Sequence, residues 1–119
     1  MISAAQIVSF IEVHNRRNLE YRDKLIAGGI WLDEARPVEL HFWADEQMGA
    51  AMLARSLYQS GFLVLMLAPS EQEDGNVRWS IQIGLKTPIA RILSADFTEA
   101  MVRLAADHSA EFDGWGASF

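Results

Sequence analysis

Apolar residues recur along this chain first at helical spacing and later at strand spacing. Ile7, Ile11, Tyr21 and Leu25 fall on one helical stripe, which His14 and Asn18 interrupt midway. Ser3 and Gln6 stand at capping-box spacing, so a helix is expected to begin near Ser3 and to end at Gly28-Gly29. Glu20 and Lys24 add a favourable i,i+4 pair. The polar waist from His14 to Asn18 contains no Gly or Pro, which favours one helix over two. Ile30 to Arg36, with Trp31, reads as a connector.

After Pro37 the period becomes two: Val38, Leu40 and Phe42 alternate with Glu39, His41 and Trp43, as in a strand. Asp45 can cap a helix running through Ser60, with Ala50, Leu53, Ala54 and Leu57 inward and Gly61 as its stop. Gly49 weakens that helix by up to about 1 kcal/mol relative to Ala and permits close packing. Phe62 to Ala68 is apolar at every position, so both faces of this second strand should be covered. Pro69 to Asn76 is a polar connection turning at Gly75-Asn76. Val77, Trp79, Ile81, Ile83 and Leu85 then alternate with Arg78, Ser80, Gln82 and Gly84, a central strand with one core face. Lys86-Thr87-Pro88 breaks it, and an irregular stretch follows to Leu93. Ser94 or Asp96 can cap a last helix with Phe97, Met101, Leu104 and Ala105 inward and His108 near its end. Residues 111–119 close the chain as a strand, bent by Gly114 and Gly116 around Trp115.

This order predicts an α+β domain with a ferredoxin-like βαββαβ antiparallel sheet and an extra N-terminal helix. Residues 1–119 form a single domain in this reading, with the helix in 1–29 and the core in 37–119. Two helices cover one face of such a sheet, and right-handed crossovers place the first and third strands in its centre. The other face carries apolar side chains of the second strand whichever way that strand is turned. Residues 7–26 of the same chain are the economical cover, and a second copy of the domain is the alternative.

Composition narrows the function classes. Half of the 119 residues are hydrophobic, 22% are charged, and the net charge is −6. An acidic chain is a poor direct partner for nucleic acid, which is held by neutralising phosphates. Residues 1–27 carry four basic and three acidic groups, whereas the remainder carries six basic and 13 acidic. An acidic body suits a basic partner surface. The chain has no cysteine, so disulfides, thiolate metal sites and cysteine nucleophiles are excluded. No stretch reaches the roughly 20 apolar residues of a membrane span, and the first residues lack the pattern of a signal peptide, so the cytoplasm is expected.

Glu39 and His41 share a strand face and could act as an acid and base if Arg78 or Gln82 lay opposite, while Trp43 offers one aromatic platform there. A solvated or hydrogen-bonded strand face is the competing reading. The three histidines stand at no metal-ligand spacing, and His14 on its apolar stripe reads as a hydrogen-bonded core residue. Glu71, Glu73 and Asp74 form an acidic loop, either simply solvated or facing a basic peptide. Asp113 can hold the glycine bend through an Asx-type turn.

The closing Phe112-Asp113-Gly114-Trp115-Gly116-x-x-Phe119 resembles the signature that ends the domain in the regulator of ribonuclease activity B (RraB) family. The likeness extends in weaker form to the histidine-bearing strand Val38 to Trp43, to Ala44-Asp45 and to Ser60-Gly61-Phe62-Leu63-Val64. The resemblance implies a non-catalytic protein that binds ribonuclease E, restrains RNA turnover by occupying it, and uses no cofactor. It also makes Asp113, Gly114, Trp115 and Gly116 candidates for a partner-binding rim. Without the resemblance, two other classes remain open. One is a dimeric α+β barrel enzyme or small-molecule binder whose cavity, between two open sheet faces, is lined by His41, Trp43 and the second strand. The other is an interaction module of a different complex. A monomer or a homodimer through the open face fits these readings.

Overall fold

The computed structural model describes residues 2–119. The first helix, α1 (Ala4–Ala27), starts in the expected capping box: Ser3 Oγ accepts from the Gln6 backbone and the Gln6 side chain accepts from the Ser3 backbone. It is one helix, and the expected stripe faces the core, with Ile7, Ile11 and Leu25 half-buried against it. The polar residues His14 and Asn18 are its buried ones, whereas Tyr21 is half exposed.

A four-stranded antiparallel sheet follows, in the order β2-β3-β1-β4, from β1 (Ala35–Ala44), β2 (Leu63–Glu71), β3 (Val77–Pro88) and β4 (Ala110–Ala117). The first and third strands are central and each crossover skips a strand, the split βαβ arrangement expected. Pro37 lies within β1 because β4 ends at Ala117 opposite Val38, so at Pro37 the strand pairs on the β3 side alone. Between β1 and β2 runs α2 (Gln47–Gln59), which buries Ala50, Leu53, Ala54 and Leu57. Asp45 does not cap it: the N-cap is Glu46, without a side-chain bond, and Asp45 pairs with Arg78 instead.

Two breaks expected in the sequence are absent. β2 runs on through Pro69 to Glu71, and β3 continues to Pro88 with Thr87 buried in its ladder. The stretch expected to be irregular is a short helix, α3 (Ile89–Leu93), which buries Ile89 and Ile92. Ser94 Oγ then accepts from Phe97 N and caps α4 (Ala95–Asp107), whose inner face is Phe97, Thr98, Met101, Val102 and Ala105. α2 and α4 bury Val38, Leu40, Phe42, Ile81, Ile83 and Phe112 of the sheet.

The expectation that both faces of β2 are covered is overturned. Leu63 is 60% exposed, Leu65 46% and Met66 38%. The helix expected to cover them lies elsewhere: α1 packs on α3 and α4 and reaches the free edge of β4. There His14 Nε2 donates to the Phe112 carbonyl at 2.8 Å, and Asn18 bridges the layers. Its Nδ2 donates to Thr98 Oγ1 at 3.1 Å and its Oδ1 accepts from Trp115 Nε1 at 3.0 Å. One sheet edge is thus sealed by a helix. The sheet face opposite α2 and α4 stays bare.

Candidate functional site

The bare face is organised around His41. Two-residue periodicity puts Glu39, His41 and Trp43 of β1 on it, beside Ser80 and Gln82 of β3, since Gln82 pairs with His41 and Ser80 with Trp43. At the β4 side the register shifts between His41 and Phe42, so Asp113 and Gly114 together oppose His41. Gly114 has φ +133, a conformation that favours glycine, and it lets the chain turn there.

A carboxylate beside the bulge reaches the histidine. His41 Nδ1 lies 3.0 Å from Asp113 Oδ2, and His41 Nε2 lies 2.8 Å from Ser80 Oγ. A carboxylate only accepts, so Nδ1 carries the proton and, in the neutral ring, the Ser80 hydroxyl donates to Nε2. Asp113 therefore spends its side chain on His41, not on the expected Asx-type turn. Glu39 is not the partner of His41, although the two share a face. The His41 ring meets Trp43 edge-on at 4.9 Å between centroids, and the Arg78 guanidinium lies 5.5 Å from the Trp43 ring. Arg78 is held by Asp45 at 3.1 Å and Glu111 at 3.5 Å.

Asp113, His41 and Ser80 stand in the order of a serine hydrolase triad. The surroundings do not complete one. Ser80 is 7% exposed in the middle of β3, paired with Trp43 on one side and Ala68 on the other. Acyl transfer needs free N–H donors aimed at the developing oxyanion, which come from turns and helix starts. A ladder on both sides of Ser80 leaves none there. What the constellation does is fix one orientation of the His41 ring.

Around the bulge lies a groove of about 210 Å3, lined by Glu39, His41 and Gln82, by Asp113 to Gly116, and by His14, Arg17, Asn18 and Tyr21 of α1. Trp115 faces away from the bare side: it pairs with Leu40 of the core face and meets Tyr21 at 5.6 Å between centroids. Burial holds the His14 imidazole below its ordinary value, the Arg17 charge acts in the same direction, and the Phe112 carbonyl with Asp113 and Glu111 opposes them. Of the residues singled out in the sequence, Glu39, His41, Asp113, Gly114, Trp115 and Gly116 meet in this groove, with Trp43 adjoining. Glu71, Glu73 and Asp74 sit apart at the β2–β3 hairpin, where Asp74 Oδ1 accepts from Asn76 N. Ser80, Arg17 and Tyr21 were not singled out. Ser80 could have been found from its place in the polar half of the β3 alternation, two residues from Gln82. Among the described residues no three His, Cys, Asp or Glu side chains are grouped to hold a metal, and no helix is long and apolar enough to cross a membrane.

A family model, regulator of ribonuclease activity B, matches residues 15–117. The chain belongs to the RraB family. The match takes in all four strands and the second half of α1, including Asn18. No individual curated protein matches the chain. The RraB description is that of a regulator, which agrees with a site that positions a histidine without staging a nucleophile.

Proposed function

We propose that this protein is a non-catalytic regulator that binds a ribonuclease, ribonuclease E by the resemblance of its closing motif, and restrains RNA turnover by occupying the enzyme. The observation that carries the reading is the bare sheet face. α1 seals the β4 edge instead of covering that face, so Trp43, Arg78, His41 and Glu111 are left half-buried on an uncovered face. An aromatic and an arginine held by ion pairs are the residue types that anchor protein interfaces. The net charge of −6 suits a basic partner surface, and a regulator of RNA turnover works in the cytoplasm. The test is cleavage of a fluorogenic RNA by purified ribonuclease E with increasing amounts of the protein. The rate should fall to a plateau, less steeply at higher salt, and Trp43→Ala should shift the curve to higher concentration. An unchanged rate, with no complex by sedimentation, would sink the proposal.

A second reading draws on Leu63, Leu65 and Met66, which leave an apolar strip on β2. Two copies joined through their bare faces would bury it and enclose a ligand cavity. Sedimentation of the protein alone decides: a dimer dispersed by Leu65→Lys favours this reading, and a monomer removes it.

A further inference from the structure

We infer that the groove at the β4 bulge is a pocket for an arginine side chain of a protein partner. Gly116 is the first argument. Its φ is not positive, unlike that of Gly114, and a Cβ built on it meets no heavy atom within 4 Å. Neither backbone nor packing therefore requires glycine at this position. Glycine inside a strand costs about 0.5–1 kcal/mol relative to alanine. The strand forgoes that stability and keeps an opening beside Glu39, its register partner.

The lining argues for the class of ligand. Glu39 and Asp113 contribute carboxylates and Gln82 an amide oxygen, all acceptors, and the absence of two side chains bares the backbone of Gly114 and Gly116. Asp113 already holds His41, whereas Glu39 is exposed and has no ion-pair partner among the described residues. Tyr21 forms an aromatic wall, against which a planar cation can stack. A guanidinium presents a flat fork of donors that meets a carboxylate with two bonds, which an ammonium cannot do. Arg17, on α1, is the one fixed cation of the lining, so it opposes a bound guanidinium and limits affinity.

As a statement of what the ribonuclease presents, this rests on the regulator reading; as a statement about the pocket, it does not. The probe is a capped pentapeptide, Ala-Ala-Arg-Ala-Ala, titrated into the 15N-labelled full chain, with the citrulline peptide as its uncharged isostere. The Gly114 and Gly116 amides and the Trp115 indole should shift, with affinity for citrulline lower by about tenfold or more, as expected for losing a charge-assisted bond. Gly116→Ala and Glu39→Gln should weaken binding without lowering the urea midpoint, and Arg17→Ala should strengthen it. Equal binding of citrulline, shifts outside the groove, weaker binding by Arg17→Ala, or no shift at millimolar peptide would each overturn the inference. Arginine binding without inhibition of the ribonuclease leaves the pocket standing and removes the regulator reading. Inhibition without arginine binding does the reverse.

Discussion

Replacing Asn18 with alanine removes both arms of the bridge that ties α1 to α4 and to β4. Thr98 is 1% exposed, and losing its Asn18 donor leaves its hydroxyl short of a partner, at a cost of about 1–3 kcal/mol. Trp115 Nε1 borders the groove, where water can take the place of Asn18, so this arm is worth the net value of an ordinary hydrogen bond, about 0.5–1.5 kcal/mol. Together the loss is about 1.5–4.5 kcal/mol, which with a urea m-value of about 2 kcal/mol/M lowers the midpoint by roughly 1–2 M. Trp115→Phe isolates the second arm, because it keeps an aromatic ring and removes the N–H. In a double-mutant cycle with Asn18→Ala the two changes should fall short of additivity by about 0.5–1.5 kcal/mol. Additivity to within about 0.3 kcal/mol, or a loss below about 1 kcal/mol for Asn18→Ala, would refute the view that this bridge docks the helix.

Three further outcomes follow from contacts elsewhere. Burial lowers the folded-state pKa of His14 below the unfolded 6.5, so the stability it contributes is present above about pH 6.5 and is lost as pH falls toward the folded value. His14→Gln keeps an N–H donor without titrating and should flatten that part of the stability profile; an unchanged profile would show His14 is not its source. Gly49→Ala gains up to about 1 kcal/mol of helix propensity, yet its Cβ would stand 2.7 Å from the His108 carbonyl oxygen, and overpacking costs about 1–3 kcal/mol. The variant should be less stable in urea, and a stabilised one would mean that the turn from α4 into β4 gives way freely. With no free oxyanion donors beside it, Ser80 should not act as a nucleophile, so any hydrolysis of p-nitrophenyl acetate should be unchanged by Ser80→Ala. A large fall in rate would establish the triad as functional.

Local periodicity made several elements legible in the sequence. The alternation from Val77 to Leu85 gave β3 its core face, Gly61 and Ser94 marked a helix end and a helix start, and Ser3 with Gln6 marked another start. Global placement was less legible. An apolar helix can join either side of a sheet with the same pattern, and what fixes α1 is the pair His14 and Asn18, whose partners Phe112 and Trp115 lie 98 and 97 residues away. Their polarity within an apolar stripe was the signal: two side chains that bury together must find acceptors and donors in another element. The continuous apolar run of β2 suggested two covered faces, but periodicity does not reveal that the run lies at an edge. The partnership of Asp113 with His41 was hidden for a different reason: it depends on the pairing register of β1 with β4, which the pattern of residues does not reveal.

The bulge in that register links the closing motif to both sides of the sheet. In a regular strand Phe112, Gly114 and Gly116 would share the core face, and Trp115 would point to the bare side. With Asp113 and Gly114 together opposite His41, the alternation slips by one residue. Trp115 then turns inward to Leu40, Tyr21 and Asn18 and Gly116 outward beside Glu39, while Asp113 keeps its outward place on His41. One bulge therefore docks the helix and shapes the groove. Arg17 and Tyr21, the α1 wall of that groove, belong to the helix that Trp115 helps to anchor, so loosening the Asn18 bridge displaces the wall as well. Asn18→Ala should on this ground weaken arginine-peptide binding although Asn18 offers the guanidinium no charge. Unchanged affinity in a variant that has lost the expected stability would mean that the wall is held by the contacts of α1 with α3 and α4 instead.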